Sequence, residues 1–347
     1  MAKTPYSSQQ KHHFWKSGVT QSSPFHLENI NKNKFSITHS TKIATAGSCF
    51  AQHITNNLKL NNYKLIDNEP PPPGLKQSLH SAYGYNLYSA RYGNIYTVKQ
   101  LAQLSEECVS TPIIDIQEVD KRFYDMLRPS VQPDGFQTYD ETVDQRHHHI
   151  KQTRQVFEEM DVFIFTLGLT ECWINSTTNT VYPSAPGTRA GHHDEKSHYF
   201  HDCGIDEMKL DFKKFHSNIY KLRNKKDFHI LFTVSPVPLT ATASEQHVLV
   251  ANTFSKAKLR ALAGELCSDP NIDYFPSYEI ITNPRLHSAS YCDNLRNVRP
   301  EAVQTVLEHF NSCFDLRPDL NKNLQPSPPP SENLQCEEAL LEAFGNS

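Results

Sequence analysis

The stretch Asp161-Val-Phe-Ile-Phe-Thr-Leu-Gly168 is a continuous apolar run closed by glycine, and it decides the class of fold. Comparable runs occur at residues 42–47, 228–235 and 272–275. Uninterrupted apolar runs are typical of parallel strands that are buried on both faces. Amphipathic segments alternate with them, which predicts a three-layer α/β/α sandwich with a mainly parallel sheet of about five strands. We expect the strands at 42–47, 161–167 and 228–235 to be neighbours or nearly so.

The segments between these strands have the apolar spacing of helices that bury one face. Thr97 is a predicted N-cap of one helix, and Pro300 is a favourable first residue for the last helix. The predicted helices cover residues 50–60, 97–108, 140–160, 206–221, 247–266 and 300–314.

Composition excludes several classes of protein. Lys plus Arg number 34 and Asp plus Glu 38, so the formal charge of −4 argues against a strongly basic nucleic-acid binder. No stretch approaches the roughly 18 apolar residues of a membrane helix, and the N-terminus lacks the apolar centre of a secretory signal. The 8 cysteines form no C-x-x-C pair, which favours reduced thiols. We expect a soluble cytoplasmic protein that binds neither nucleic acid nor membrane.

Three regions follow one another along the chain. Residues 1–34 are rich in polar side chains and predict an N-terminal extension, and residues 35–316 form the α/β domain. Residues 317–347 are a proline-rich tail, in which the apolar cluster 339–344 is a candidate docking helix. Inside the domain, residues 173–203 show little periodicity. Because this segment follows a strand, we expect an irregular segment with a functional role.

Polar residues follow the predicted strands, and ligands of open α/β sheets bind at the carboxyl ends of the strands. Ser48 stands between the first strand and a helix, where it is either an ordinary N-cap or a nucleophile beside free helix N–H groups. Cys49 shares this position and is a second candidate nucleophile. The other candidate strand-end residues are Gly168, Thr170, Glu171, Ser235, Asp293 and Arg296.

The stretch Ala46-Gly-Ser-Cys-Phe-Ala51 spells the signature after which the GSCFA domain family is named. The chain resembles this family also in Tyr92-Gly-Asn-Ile-Tyr-Thr97, Thr166-Leu-Gly-Leu-Thr-Glu171, Thr233-Val-Ser-Pro-Val-Pro-Leu239 and Asp293-Asn-Leu-Arg296. The family in turn looks like a branch of the SGNH or GDSL-type hydrolases. Those enzymes have a flavodoxin-like fold and hydrolyse or transfer acyl esters. The resemblance implies that Ser48 is the nucleophile.

An oxyanion hole is also implied by the resemblance. It consists of the serine N–H, a glycine N–H and an asparagine side chain. The glycine falls near Gly84 or Gly93, with Asn86 or Asn94 beside it, and spacing does not choose between the two pairs.

The chain departs from the superfamily at two positions. Thr170 stands where the Gly-x-Asn-Asp block has asparagine, so a hydroxyl replaces the amide donor. Arg296 stands where the Asp-x-x-His block, which begins here at Asp293, has the histidine base. Arginine remains protonated and cannot accept the serine proton. We therefore expect Arg296 to bind an anionic group and another residue to act as base.

His247 is the favoured substitute base, because it begins a helix that follows the third strand and its loop. The alternatives are His198 and His201, on the irregular segment, and His287, shortly before Asp293. Glu171 could orient the imidazole as an aspartate does in a triad.

Histidine clusters suggest metal binding only weakly. His147, His148 and His149 are consecutive in a predicted helix, where their side chains diverge. The residues His192, His193, Asp194, His198 and His201 could converge from a loop. No H-E-x-x-H or C-x-x-C motif supports either cluster, so no metal and no cofactor is predicted.

The sequence thus predicts a serine-dependent acyl-ester hydrolase or acyltransferase. An acylated saccharide of polysaccharide metabolism is the substrate that the resemblance implies. The alternative is an SGNH-like module that has lost catalysis and binds an anionic or acylated saccharide, as Arg296 in place of histidine suggests. The oligomeric state is left open.

Overall fold

The computed structural model describes residues 4–316 and 337–346. The strands are β1 (Ile43–Gly47), β2 (Ile116–Val119), β3 (Arg122–Asp125), β4 (Val162–Leu167), β5 (Glu171–Asn175), β6 (Val181–Tyr182), β7 (His198–Asp202), β8 (His229–Val234) and β9 (Ile272–Tyr274). The α-helices are α1 (Ala51–Leu60), α2 (Val98–Val109), α3 (Tyr139–Glu159), α4 (Ile205–Leu222), α5 (Val248–Leu266), α6 (Ser277–Ile281), α7 (His287–Ser290) and α8 (Pro300–Cys313).

The central sheet has the strand order β1-β4-β8-β9, and every pairing in it is parallel. A parallel bridge between Ile43 and Leu65 adds a chain segment on the open side of β1. With that segment counted, the order is that of a doubly wound sheet of the flavodoxin type. The predicted parallel sheet is confirmed, and the three expected neighbouring strands are adjacent.

Helices cover both faces of this sheet. Along β4 the buried residues alternate, so that Phe163 and Phe165 enter the core beneath α2, α3, α4 and α5, whereas Val162 and Ile164 enter the core beneath α1, α6 and α8. The sandwich therefore has three layers, as predicted. All six predicted helices are present, with ends that agree within one or two residues.

The prediction that residues 173–203 are irregular is wrong. This segment holds most of a three-stranded antiparallel sheet, in which β5 is central and β6 and β7 flank it. Its strands are short and rich in His, Tyr and Trp, so no apolar periodicity marks them in the sequence. The β2–β3 hairpin was not predicted either.

The described part of the N-terminal extension contacts the α/β domain. The Leu27 N–H donates to His309 Nε2 on α8 at 2.8 Å, and the Lys34 N–H donates to Asp273 on β9 at 3.0 Å. In the tail, the cluster 339–344 belongs to a short helical segment, Glu337–Asn346, whereas residues 317–336 lie outside the described residues. Within the described ranges, no helix combines the length and apolarity that a bilayer crossing requires.

Gly47, the last residue of β1, is held in a conformation that only glycine adopts easily. Its φ is +132°, and an added Cβ would lie 2.5 Å from the Thr166 carbonyl oxygen. Gly47→Ala should therefore lower the free energy of unfolding by more than about 2 kcal/mol, measured by urea denaturation.

Gly204→Ala is the matched control for this prediction. Gly204 has open space at its Cβ position and an ordinary negative φ, so its cost should stay below about 1 kcal/mol. Equal losses in the two variants would contradict the argument.

Candidate active site at the carboxyl edge of the sheet

Ser48 lies in the sharp turn between β1 and α1. Its N–H donates to the Thr166 carbonyl at 3.1 Å, and its own carbonyl accepts from the Ala51 N–H at 2.9 Å. The side chain does not cap α1, because no side-chain cap hydrogen bond is made at that helix start. The Oγ is buried without a hydrogen-bond partner among the described residues, and so is the Oγ1 of Thr166. Two neighbouring residues at this edge, Ser48 and Thr166, thus each have an unpaired buried hydroxyl.

Gly168 closes the site from the end of β4. A Cβ at this position would approach the Ser48 Cβ to 2.9 Å, so only glycine leaves space for the serine. The N–H groups of Gly168 and Leu169 both donate to the Tyr96 carbonyl, at 3.1 and 3.0 Å. The Gly168 N–H is therefore already bonded within the protein.

The Gly93–Asn94 pair lies beside Ser48. The Tyr88 hydroxyl is 2.6 Å from Asn94 Oδ1 and 3.0 Å from the Ser48 carbonyl oxygen, so it connects the two residues. Asn86 instead contacts His80, with its Nδ2 2.9 Å from the ring Nδ1. Sequence spacing could not choose between the pairs Gly84–Asn86 and Gly93–Asn94. In the structure Asn94, and not Asn86, is linked to Ser48.

A buried group of charges holds the segment around Asn94 in place. Glu69 accepts the Arg91 N–H at 2.7 Å and contacts His149 Nδ1 at 2.7 Å. Arg128 donates to the Arg91 carbonyl at 3.2 Å and is paired with Asp125 at 2.7 Å. Since each of these charged side chains is buried, their mutual contacts fix the irregular chain that approaches β1.

Thr170 and Glu171 face partners other than a substrate site in this structure. The Thr170 hydroxyl donates to Asp202 Oδ1 at 2.6 Å, so its single hydrogen is committed to a carboxylate. Glu171 accepts from Thr242 Oγ1 at 2.8 Å, and burial raises the pKa of its carboxyl group. Neither side chain contacts an imidazole among the hydrogen bonds and ion pairs of the described chain.

The end of β8 and the loop before α8 meet at the same edge. Ser235 is buried, and its N–H donates to the Leu167 carbonyl at 2.8 Å. The Tyr291 hydroxyl donates to the Pro236 carbonyl at 2.8 Å, which brings the loop 291–299 to this edge. Arg296 is buried there, at 7% exposure.

Asp293 is not positioned to orient a histidine. Its side chain is fully exposed, and its carboxylate pairs with Arg299 at 3.2 Å. Sequence spacing placed Asp293 and Arg296 in one motif, but the tight loop turns one side chain outward and the other inward.

His247 caps α5 rather than facing Ser48. It is exposed, and its Nδ1 accepts the Leu249 N–H at 3.1 Å. Further along the same helix, Ser255 accepts the Thr170 N–H at 3.3 Å and Lys256 donates to the Gly168 carbonyl at 2.9 Å. His247 precedes Ser255 by eight residues, so it lies about 12 Å along the helix axis from these contacts.

The other three candidate bases are also engaged elsewhere. His198 Nδ1 accepts the Asp194 N–H at 3.1 Å, and His201 pairs with Glu207 at 2.8 Å. The ring of His287, on α7, packs on Tyr291. None has a described hydrogen bond to Ser48.

His53 is a buried imidazole near this edge that sequence reasoning missed. It lies one turn before Asn57, whose side chain contacts Asn311 on α8, so His53 is on the side of α1 that faces α8. Its ring packs edge-on against Phe50 at 5.3 Å. Burial lowers its pKa to about 4, so it is neutral at pH 7. The spacing of Phe50 and His53 on one predicted helix face was the signal that could have found it.

This low pKa predicts a pH dependence of stability. Between about pH 6.5 and 4 the unfolded chain binds a proton at His53 and the folded chain does not, so the free energy of unfolding should fall as the pH falls. The slope from this group approaches about 1.4 kcal/mol per pH unit near pH 5, falls to about half of that at pH 6.5 and fades at higher pH. His53→Asn should flatten the profile by that amount, measured by urea denaturation at several pH values. Identical slopes in the two proteins would refute the assignment.

The comparisons with known proteins agree with the motifs at this edge. No curated protein and no solved structure matches the chain. A model of the GSCFA family matches residues 42–310, a range that includes β1, the Ser48 turn and the loop before α8. The match covers well over half of the chain, and the chain therefore belongs to the GSCFA family.

Proposed function

We propose that the protein is a serine-dependent acyl-ester hydrolase or acyltransferase, with Ser48 as the nucleophile and an acylated saccharide as the substrate. The observation that supports this most strongly is the buried Ser48 hydroxyl without a described hydrogen-bond partner, at the edge where α/β proteins bind ligands. An unpaired buried hydroxyl costs about 1–3 kcal/mol, which favours a role in binding or chemistry over one in folding. A cytoplasmic location belongs to the proposal, because the scattered cysteines favour reduced thiols.

In this proposal Asn94 and the start of α1 contribute to stabilising the oxyanion. The Ser48 N–H, the Gly168 N–H and the Thr170 hydroxyl all have partners within the protein. Asn94 is joined to the serine through Tyr88, and the positive end of the α1 dipole begins three residues after Ser48. Thr170 then acts as a positioning residue for the loop after β4.

A second candidate function is a binding module for an anionic or acylated saccharide. The residues at the Asp-x-x-His positions favour this candidate. Asp293 is exposed and paired with Arg299, so it orients no base, and the buried Arg296 occupies the position of the histidine. An edge with buried hydroxyls and the buried Arg296, where no described imidazole is bonded to Ser48, can bind an ester or a carboxylate without cleaving it.

Labelling with a fluorophosphonate probe separates the two candidates. A hydrolase should label at Ser48, and Ser48→Ala should abolish labelling and lower hydrolysis of an aryl acetate by about 10³-fold or more. Ser105→Ala is the matched control, because it removes a buried hydroxyl on α2, outside the site, and should preserve labelling. An unlabelled wild type that still binds an O-acetylated saccharide, measured by calorimetry, would favour the binding module.

Replacement of His247 tests the base that was expected from the sequence. His247 is exposed, so His247→Ala should fold like the wild type. Because His247 caps α5 and does not face Ser48, the kcat of aryl acetate hydrolysis should stay close to that of the wild type, whereas loss of a general base would lower it by about 10²-fold or more. The control is the exposed neighbour, Gln246→Ala, which should keep full activity. Equal activity of both variants would exclude His247 as the base.

A further inference from the structure

A compact set of metal-ligand side chains lies at the corner between β7 and α4. The set consists of His201, Cys203 and Glu207, whose His nitrogen, Cys sulfur and Glu oxygen all lie within 4.8 Å of one another. None of these residues has a role in the function proposed for Ser48.

Local structure explains why the three side chains converge. His201 and Cys203 are two residues apart along extended chain, so their side chains point to the same side. Glu207 is the third residue of α4, and its carboxylate reaches back to the Gly204 N–H at 3.2 Å and to His201 Nε2 at 2.8 Å. A strand end and a helix start thus present nitrogen, sulfur and oxygen donors to one point.

A second sulfur adjoins this set. Cys172 on β5 pairs in register with His201 on β7, so both side chains leave the same face of that sheet. Cys172 is also a neighbour of Cys203, and its presence and burial together raise the pKa of the Cys203 thiol. The corner therefore offers four donors, of which two are thiols in the core and two line the surface pocket beside α2.

We propose that this corner is a zinc site with His201, Cys203 and Glu207 as ligands and the Cys172 sulfur in the fourth position. Imidazole, thiolate and carboxylate are the ligands of tetrahedral Zn²⁺, whereas Ca²⁺ and Mg²⁺ take oxygen only. Bond lengths of about 2.0–2.3 Å put the ligand atoms of such a site roughly 3.5 Å apart, so the ligand atoms of His201, Cys203 and Glu207 need to approach one another by only about 1 Å. Binding transfers the thiol protons to solvent as sulfur–zinc bonds form.

Lys99 is one positively charged group that opposes the bound cation, and Lys258, which contacts the Cys203 carbonyl, is another. The Lys99 Nζ lies 2.7 Å from Glu207 Oε1 and 3.1 Å from Asp211 Oδ2. When Glu207 turns to zinc, the ammonium retains Asp211 as its partner, so the charge of Lys99 weakens binding without preventing it. Lys99→Met should accordingly bind Zn²⁺ more tightly than the wild type.

The test is titration of the full-length, thiol-reduced protein with Zn²⁺ against a chromophoric chelator, and with Co²⁺ by absorption spectroscopy. We expect one equivalent of Zn²⁺ in the wild type, release of protons into weakly buffered solution, and a near-ultraviolet sulfur-to-Co²⁺ band. His201→Ala and Cys203→Ser should each weaken binding by at least about tenfold.

The variant Glu207→Gln tests the site with little risk of misfolding, should His201→Ala or Cys203→Ser fail to fold. The amide keeps the shape of the side chain and an oxygen that accepts the Gly204 N–H, so α4 should form while zinc affinity falls. His39→Ala and Cys267→Ser remove a histidine and a thiol outside the set and should leave affinity unchanged. A wild type that binds no stoichiometric zinc, a Co²⁺ complex without the sulfur band, or full affinity in His201→Ala would overturn the proposal.

Discussion

The close approach of β1 to β4 at their last shared pair is the constraint on which the site depends. Gly47 stands opposite Thr166, at a distance that no side chain on Gly47 could tolerate. This approach lets the Ser48 N–H bond to the Thr166 carbonyl, and it turns the chain into α1 with the serine at the edge. Gly168, one residue beyond β4, must also be glycine, because a Cβ at this position would collide with the Ser48 side chain. Two glycines on neighbouring strands therefore position one hydroxyl.

Local pattern was sufficient to predict the sheet and its helices, because each parallel strand is an apolar run buried on both faces. It also brought Ser48, Gly168 and Ser235 to one edge, since parallel strands end together. Contacts between distant segments decided the rest. The choice of Asn94 over Asn86 depends on the Tyr88 hydroxyl, and the outward turn of Asp293 depends on a tight loop that residue types do not specify. The short strands within 173–203 were not predicted, because tertiary packing stabilises them and their sequences show no regular alternation of apolar and polar residues.

The buried hydroxyls at this edge cost stability without serving the fold. Ser48 Oγ and Thr166 Oγ1 are buried without described partners, although the N–H groups and carbonyls around them are paired. A sequence selected for stability alone would place alanine and valine there at little loss. The presence of this polar pair beside the start of α1 is the physical basis for the proposal that this edge binds a ligand or carries out chemistry, independent of which residue removes a proton.

The corner between β7 and α4 is joined to this edge by backbone and not by proximity alone. The Cys203 N–H donates to the Thr170 carbonyl at 2.9 Å, and the Thr170 hydroxyl donates to Asp202, the residue before Cys203. Lys258 contacts both Asp202 and the Cys203 carbonyl, so α5 holds the same strand end from the other side. Any ligand that fixes Cys203 would consequently fix Thr170 and the loop that begins at Gly168. Gly168 in turn packs against the Ser48 side chain, so a continuous series of contacts joins the corner to the serine.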